Sequence, residues 1–298
     1  MISTDSGGNA TTTTIGTLSI STNAWIANLS ARANVQGQSN LLVAGFVTGG
    51  TANKSVLVRG CGPSLSLFGI GNYLPDPQLV LGNSAGTLAT AQSWSTSLQP
   101  TFAQVGAFGF VAGSHDAALL ESLAPGSYTA QIASQAANSG VALAEIYDAD
   151  TSVSANRLIN ISARAFVGTG SNILIGGFII EGSTPQTVLI RADGPALAGF
   201  GVYNALANPT LTLGDASGVI ATNTGWTTAA VSRRPASSGM VVQPMTAELA
   251  AKVGAFPIAA GSGDSAIIAT LPPGDYTVQV DGANNSFGIA LLEIYELR

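Results

Sequence analysis

Charge is what this chain most lacks. Lys, Arg, Asp and Glu make up 9% of its 298 residues, and only Lys54 and Lys252 are lysines. Globular chains usually devote about a quarter of their residues to charge. The surface must therefore be mostly Ser, Thr, Asn, Gln, Gly and Ala. That suits a protein held in an assembly or working outside the cell, since a free cytosolic monomer relies on mixed charges for solubility. The net charge is −6 and the only basic run is "SRRP" at 232–235, which excludes a nucleic-acid partner.

Cysteine and histidine are nearly absent as well. Cys61 stands alone, so no intrachain disulfide exists, and one His with one Cys cannot make a structural zinc site. No cofactor or metal is expected. No run approaches the roughly 18 apolar residues of a membrane helix. The longest, such as "ILIGGFII" at 173–180, are strand-sized, so no membrane insertion is expected. The start, "MISTDSGGNA", lacks the basic region and apolar core of a secretory signal, which leaves either a protein that stays inside or a processed form.

What the chain does have is an internal repeat. "SVLVRGCGPSLSLFG" at 55–69 returns as "TVLIRADGPALAGFG" at 187–201, 132 residues on. The same offset pairs "LSAR" 29–32 with "ISAR" 161–164, "AGFV" 44–47 with "GGFI" 176–179, and Trp94 with Trp226. Beyond the tryptophans the offset becomes 148, pairing "LAPGSYT" 123–129 with "LPPGDYT" 271–277 and "ALAEIYD" 142–148 with "ALLEIYE" 290–296. The second copy thus carries 16 extra residues near 227–252. The expected organisation is an N-terminal extension over 1–24, repeat 1 over 25–148, a linker over 149–156 and repeat 2 over 157–298.

The segments between turn signals are short and rich in β-branched and aromatic residues. In repeat 1, strands are expected over 28–35, 41–48, 54–60, 78–81, 87–91, 107–111, 116–122, 127–133 and 140–147. Their spacing predicts an all-β fold: two tandem homologous antiparallel β-sandwich (jelly-roll-like) domains plus an N-terminal extended strand. One helical turn is expected before each "VGAF", with Thr246 capping the second and Gly254 ending it.

The Gly-rich stretch after Arg59 looks like a phosphate cradle or a nucleophile turn. The repeat argues otherwise. Cys61, Ser64 and Ser66 become Asp193, Ala196 and Ala198, while Arg, Gly62/Gly194, Pro63/Pro195 and the Phe-Gly pair stay. A phosphate loop also needs a following helix whose N-terminus faces the anion, and "SLSLFGIGNYLPDP" has no helical period. His115 falls between Ser114 and Asp116, where neighbours on a strand point to opposite faces and form no relay.

The repeated charges are Arg32/Arg164, Arg59/Arg191, Asp116/Asp264 and Glu145/Glu293. Arg59 and Glu145 lie in apolar strands, where a charge is costly unless paired and hydrogen-bonded. All eight are read as a structural charge network, not as a carboxylate dyad for glycoside hydrolysis. Trp94/Trp226 and Tyr128/Tyr276 are read as core rings; Trp25, Tyr73 and Tyr203 are the better candidates for exposure.

The order N-(L/I)-S-x-R, (A/G)-G-F-(V/I), V-L-(V/I)-R-x-x-G-P-x-L, P-x-L-x-L, W, L-x-P-G-x-Y-T, A-L-x-E-I-Y resembles a repeat of large secreted and surface proteins of Verrucomicrobia and related bacteria. The second half of each copy also resembles the bacterial pre-peptidase C-terminal domain, a small calcium-associated β-sandwich. The resemblance implies a secreted β-sandwich module. Where members carry acidic residues before the tryptophan this chain reads "AQSW" 91–94 and "NTGW" 223–226, without the carboxylates calcium needs.

These readings converge on a non-enzymatic structural subunit of an extracellular or cell-surface fibre. Its partner is itself, as a homopolymer; the alternative is a carbohydrate-binding or adhesion module for a cell-surface glycan. "NATTTTIGTLSIS" in the N-terminal extension is β-prone, and Thr14, Ile15, Leu18 and Ile20 mark the expected assembly strand. A strand added to a neighbour's sheet is a heterologous contact, and its repetition gives a filament.

Overall fold

A computed structural model describes residues 2–4, 10–12, 24–150, 156–235 and 239–297. Strands β1 (Ile2–Thr4) and β2 (Ala10–Thr12) pair with each other in a small sheet of their own. Thr14, Ile15, Leu18 and Ile20 lie outside the described residues.

Repeat 1 supplies β3 (Trp25–Gln36), β4 (Leu42–Gly49), β5 (Lys54–Cys61), β6 (Pro77–Asn83), β7 (Gly86–Ala91), β8 (Ala117–Leu123), β9 (Gly126–Ser134) and β10 (Ser139–Asp148). In one sheet the order is β3-β10-β5-β8 and in the other β4-β9-β6-β7, every pairing antiparallel. Counted from one to eight, these orders are 1-8-3-6 and 2-7-4-5, two Greek keys rolled into a jelly roll. Alternation builds the core: Leu29, Ala31, Ala33 and Val35 of β3 point inward, Ser30, Arg32 and Asn34 outward. β5 is buried on both faces from Val56 to Cys61, because loops cover the outer face of its sheet.

Repeat 2 supplies β11 (Arg157–Val167), β12 (Leu174–Glu181), β13 (Gln186–Asp193), β14 (Pro209–Asp215), β15 (Gly218–Asn223), β16 (Val231–Ser232), β17 (Val241–Gln243), β18 (Ser265–Leu271), β19 (Gly274–Gly282) and β20 (Gly288–Leu297). Its eight counterpart strands take the same two orders. The two repeats do not merely follow one another. β3 pairs with β12 and β4 with β11, so both sheets run through both repeats as nine-stranded sheets with one shared core.

This seam has internal two-fold symmetry. Gly177 lies opposite Ser30, and Gly45 opposite Ser162, the same pair with the repeats exchanged. A Cβ on Gly45 would stand 2.5 Å from Ser162 Oγ, and one on Gly177 2.5 Å from Ser30 Oγ. The repeated Ser of "LSAR"/"ISAR" and the repeated Gly of "AGFV"/"GGFI" are thus the two sides of the seam. Lys54, wholly buried, fastens the linker beside it, reaching Asp148 at 2.6 Å, Asp150 at 2.8 Å and the Asn156 carbonyl at 2.8 Å.

Helix α1 (Gln99–Gln104) and helix α2 (Ala247–Lys252) occupy matching places. Thr246 Oγ1 accepts from the Leu249 N–H, and Gly254 takes the left-handed φ of 74° after the last turn. Residues 107–111 form no strand, although they alternate like one. Side chains hold this stretch instead: Phe108 gives its carbonyl to Arg59, and the Val111 N–H donates to Ser64 Oγ. Because α1 and α2 correspond, the extra residues of repeat 2 precede α2. They contain β16, which pairs with β15, and β17, which pairs with β18.

Candidate functional site

Outside the main core, each repeat packs loops onto the sheet that carries its buried arginine. In repeat 1, Arg59 is sandwiched by Phe102, Phe108 and Phe110, its guanidinium carbon 4.0–4.5 Å from each ring centre. Nη1 donates to the Phe108 carbonyl at 2.9 Å, and Nε lies 3.1 Å from Glu145 Oε2. Glu145 also accepts from the Tyr147 hydroxyl at 2.7 Å and the Cys61 thiol at 3.2 Å. Burial, then the Glu145 charge, pushes the Cys61 thiol well up, so it is a protonated donor and no nucleophile.

Repeat 2 keeps the design with one exchange. Arg191 lies over Phe256, donates to its carbonyl at 2.8 Å, and approaches Glu293 at 3.4 Å; Tyr295 donates to Glu293 at 2.7 Å. Asp193 replaces Cys61 and accepts from Arg191 at 3.0 Å. Burial holds the Asp193 carboxyl well above its usual range, with Arg191 opposing and Glu293 reinforcing. Asp193 Oδ2 and Glu293 Oε2 are both buried without a hydrogen-bond donor, and a proton held on Asp193 would serve the two together. Asp193 then does for Glu293 what the Cys61 thiol does for Glu145.

The glycine-rich turn is an anion nest, and the protein fills it itself. Gly62 N–H donates to Asp116 Oδ1 at 2.6 Å and Ser64 N–H to Oδ2 at 3.1 Å; the Ser64 hydroxyl also donates to Asp116. Ser114 Oγ donates to the same carboxylate at 2.6 Å. In repeat 2, Gly194 and Ala196 N–H groups hold Asp264 at 2.7 and 3.2 Å. The glycine is required: a Cβ at Gly62 would stand 2.0 Å from the Leu74 carbonyl oxygen, and one at Gly194 1.9 Å from that of Leu206. A 3-10 helix, Pro63–Phe68, follows where the sequence showed no helical period.

Arg59, Glu145, Arg191 and Glu293 therefore meet in pairs, and Asp116 and Asp264 cap the adjoining turns. Arg32 and Arg164 do not join them. The strand alternation puts both on the outer faces at the seam, beside Ile175 and Val43, and neither forms an ion pair among the described residues. Arg32 shares its sheet face with Arg59 and Glu145 and lines a cavity with Glu145, but it takes no part in their ion pair. Lys54 is a buried tie outside the repeated charges; its signal in the sequence is a lone lysine at a strand start, with the acidic "DAD" of 148–150 as its partner.

Tyr128 and Tyr276 are buried and stack on Phe46 and Phe178, and Trp226 is buried while Trp94 is half-buried. Of the rings expected outside, Tyr203 is 96% exposed; Trp25 and Tyr73 are half-buried. Tyr203 borders a cleft of about 420 Å³ with Arg164, Phe166 and Asn204. His115 is exposed, and Ser114 bonds Asp116 directly. Among the described residues, no cluster of three or more His, Cys, Asp or Glu could hold a metal, and no helix is long and apolar enough to cross a membrane.

No family model matches the chain, and no curated protein matches it. Among solved structures, a DUF4785 family protein of Legionella pneumophila is 12% identical over 92% of this chain and 88% of that one, with a TM-score of 0.22.

Proposed function

We propose that the protein is a non-enzymatic structural subunit of an extracellular or cell-surface fibre, polymerising head to tail partly by β-strand addition. The observation that carries this reading is the continuity of the two nine-stranded sheets through both repeats. Such a body is a ready-made length of double sheet, and sheet ends are where further strands add. Two features support it. Of the charged groups that both repeats keep, all but Arg32 and Arg164 are spent inside the fold, on ion pairs and turn caps. The sparse charge leaves little repulsion between stacked copies. The repeat's resemblance to modules of secreted and surface proteins agrees with an external location.

The test is electron microscopy and sedimentation velocity on the purified chain, with and without residues 1–24. The reading expects fibres from the full chain and soluble, folded monomers after the deletion. A full chain that stays monomeric at millimolar concentration overturns it. A second reading rests on Tyr203: an exposed ring beside a cleft lined by Arg164 is a stacking platform for a sugar. Glycan binding by a monomer, lost in Tyr203→Ala, would favour adhesion over assembly.

A further inference from the structure

The two far ends of the molecule are built alike and finished differently. At the repeat 2 end, β16 lies on β15 and β17 on β18. At the repeat 1 end, the equivalent strands β7 and β8 are, among the described residues, the last in their sheets. The consequence shows at equivalent side chains. Ile220 of β15 is wholly buried; Leu88 of β7, its counterpart, is 48% exposed. Ile268 of β18 is wholly buried; Leu120 of β8, its counterpart, is 40% exposed. The backbone differs too: Arg233 N–H donates to the Ile220 carbonyl, a bond made by the extra residues that repeat 1 lacks.

Proteins that leave an edge bare normally guard it with Lys, Pro or very short strands. The repeat 2 end has such guards, two strands of two and three residues with Pro235 and Pro244 just beyond them. The repeat 1 end has none. β7, "GTLATA", carries no charge and no proline, and β8, "AALLESL", carries only Glu121. The site is shaped for a strand in repeat 2 and receives one there; in repeat 1 no strand of the described residues occupies the same site.

We infer that the open β7–β8 end of repeat 1 is the acceptor for a β-strand of a second copy, supplied by residues 13–22. This rests on the assembly reading and names its receiving surface. The occupant follows from the chain itself. Besides the linker and the extra residues of repeat 2, only the N-terminal extension falls outside the repeats. Its "TIGTLSIS" alternates Leu18 and Ile20 with polar residues, so as an added strand it sets an apolar row beside Leu88 at the β7 edge or beside Leu120 at the β8 edge, and it brings no charge to edges whose one charged residue is Glu121. Because donor and acceptor are different surfaces, the contact cannot close on itself as a two-fold dimer does, and it propagates.

The experiment uses the full chain. Leu88→Lys and Leu120→Lys, each checked for an unchanged melting curve, should raise the concentration at which fibres appear at least tenfold; Val231→Lys, at the guarded end, should not. Leu88→Gln serves if a lysine variant fails to fold. In a mixture of one copy carrying Leu18→Cys and another carrying Leu88→Cys, a disulfide should form between copies, with Cys61 buried and silent. Wild-type fibres that persist unchanged in Leu88→Lys and Leu120→Lys overturn the acceptor assignment and leave the assembly reading standing. Fibres lost in those variants without a cross-link to Leu18→Cys overturn the occupant. A wild-type chain that never assembles overturns both.

Discussion

At Asp264 one carboxylate oxygen holds two backbone donors while the other, buried, has none. Repeat 1 shows what is missing, because Ser64 supplies a hydroxyl to Asp116 where repeat 2 has Ala196. Ala196→Ser should therefore stabilise repeat 2 by about 1 kcal/mol, the worth of one satisfied buried acceptor. The reverse change, Ser64→Ala, should cost about 1–3 kcal/mol by orphaning Asp116 Oδ2 and the Val111 N–H in part. Urea denaturation of the two variants checks both signs. The arginines are a harsher case: Arg59→Leu leaves Glu145 buried without its cation and should cost roughly 3–5 kcal/mol. A melting curve within a degree of wild type would contradict this. Asp193 adds a pH dependence. Its folded pKa is raised, so its contribution is complete below the unfolded value of about 3.9 and fades as pH rises through the folded value. Melting temperature should fall as pH rises through that window. Asp193→Asn, which keeps a donor toward Glu293 without a titrating proton, should flatten the profile.

Elements were legible where their pattern is local. β9 and β19 follow a Pro-Gly turn with clean alternation, and both stand where the alternation predicts. Arg59 and Glu145 were legible as members of a structural charge network, though not as each other's partner, because a charge flanked by apolar strand residues must be paired and hydrogen-bonded. Residues 107–111 misled because alternation records which side chains are covered, and Phe110, buried, and Phe108, half-buried, pack on an arginine instead of on a sheet. The seam was invisible for a different reason. Strand pairing between repeats leaves no period of its own, so nothing in "LSAR" says that its serine faces a glycine of the other copy. Once seen, it is testable. Gly45→Val or Gly177→Val drives a branched side chain onto the opposing serine, which neighbours Glu293 or Glu145 on the same row, and should cost about 1–3 kcal/mol by overpacking. Because the seam belongs to both repeats, unfolding should remain a single transition at lower temperature. Two separated transitions by calorimetry would mean that the repeats are energetically independent.

For the whole molecule, the 16 extra residues decide how many ends are open. The sequence places them between Trp226 and α2 and invites reading them as a protrusion that can be trimmed without harm. Their position in the sheets says otherwise. β16 and β17 pair along the edges that carry Ile220 and Ile268, Ala230, Met240 and Val242 pack against the core that holds Ile220, and full burial of an isoleucine contributes roughly 1.5–3 kcal/mol. Deleting residues 227–242 joins Trp226 to Gln243 and restores the spacing of repeat 1. The variant should still roll each repeat into its jelly roll, since repeat 1 does so without these residues. It should melt lower, having lost the cover of two isoleucines. It should also bare at its second end the same apolar edge that Leu88 and Leu120 present at the first. A body with one open end accepts one strand; a body with two accepts two. Sedimentation velocity and microscopy should then show branched or laterally bundled aggregates at concentrations where the parent gives single fibres. Unchanged fibres and an unchanged melting temperature after the deletion would show that β16 and β17 neither stabilise the end they cover nor keep it closed.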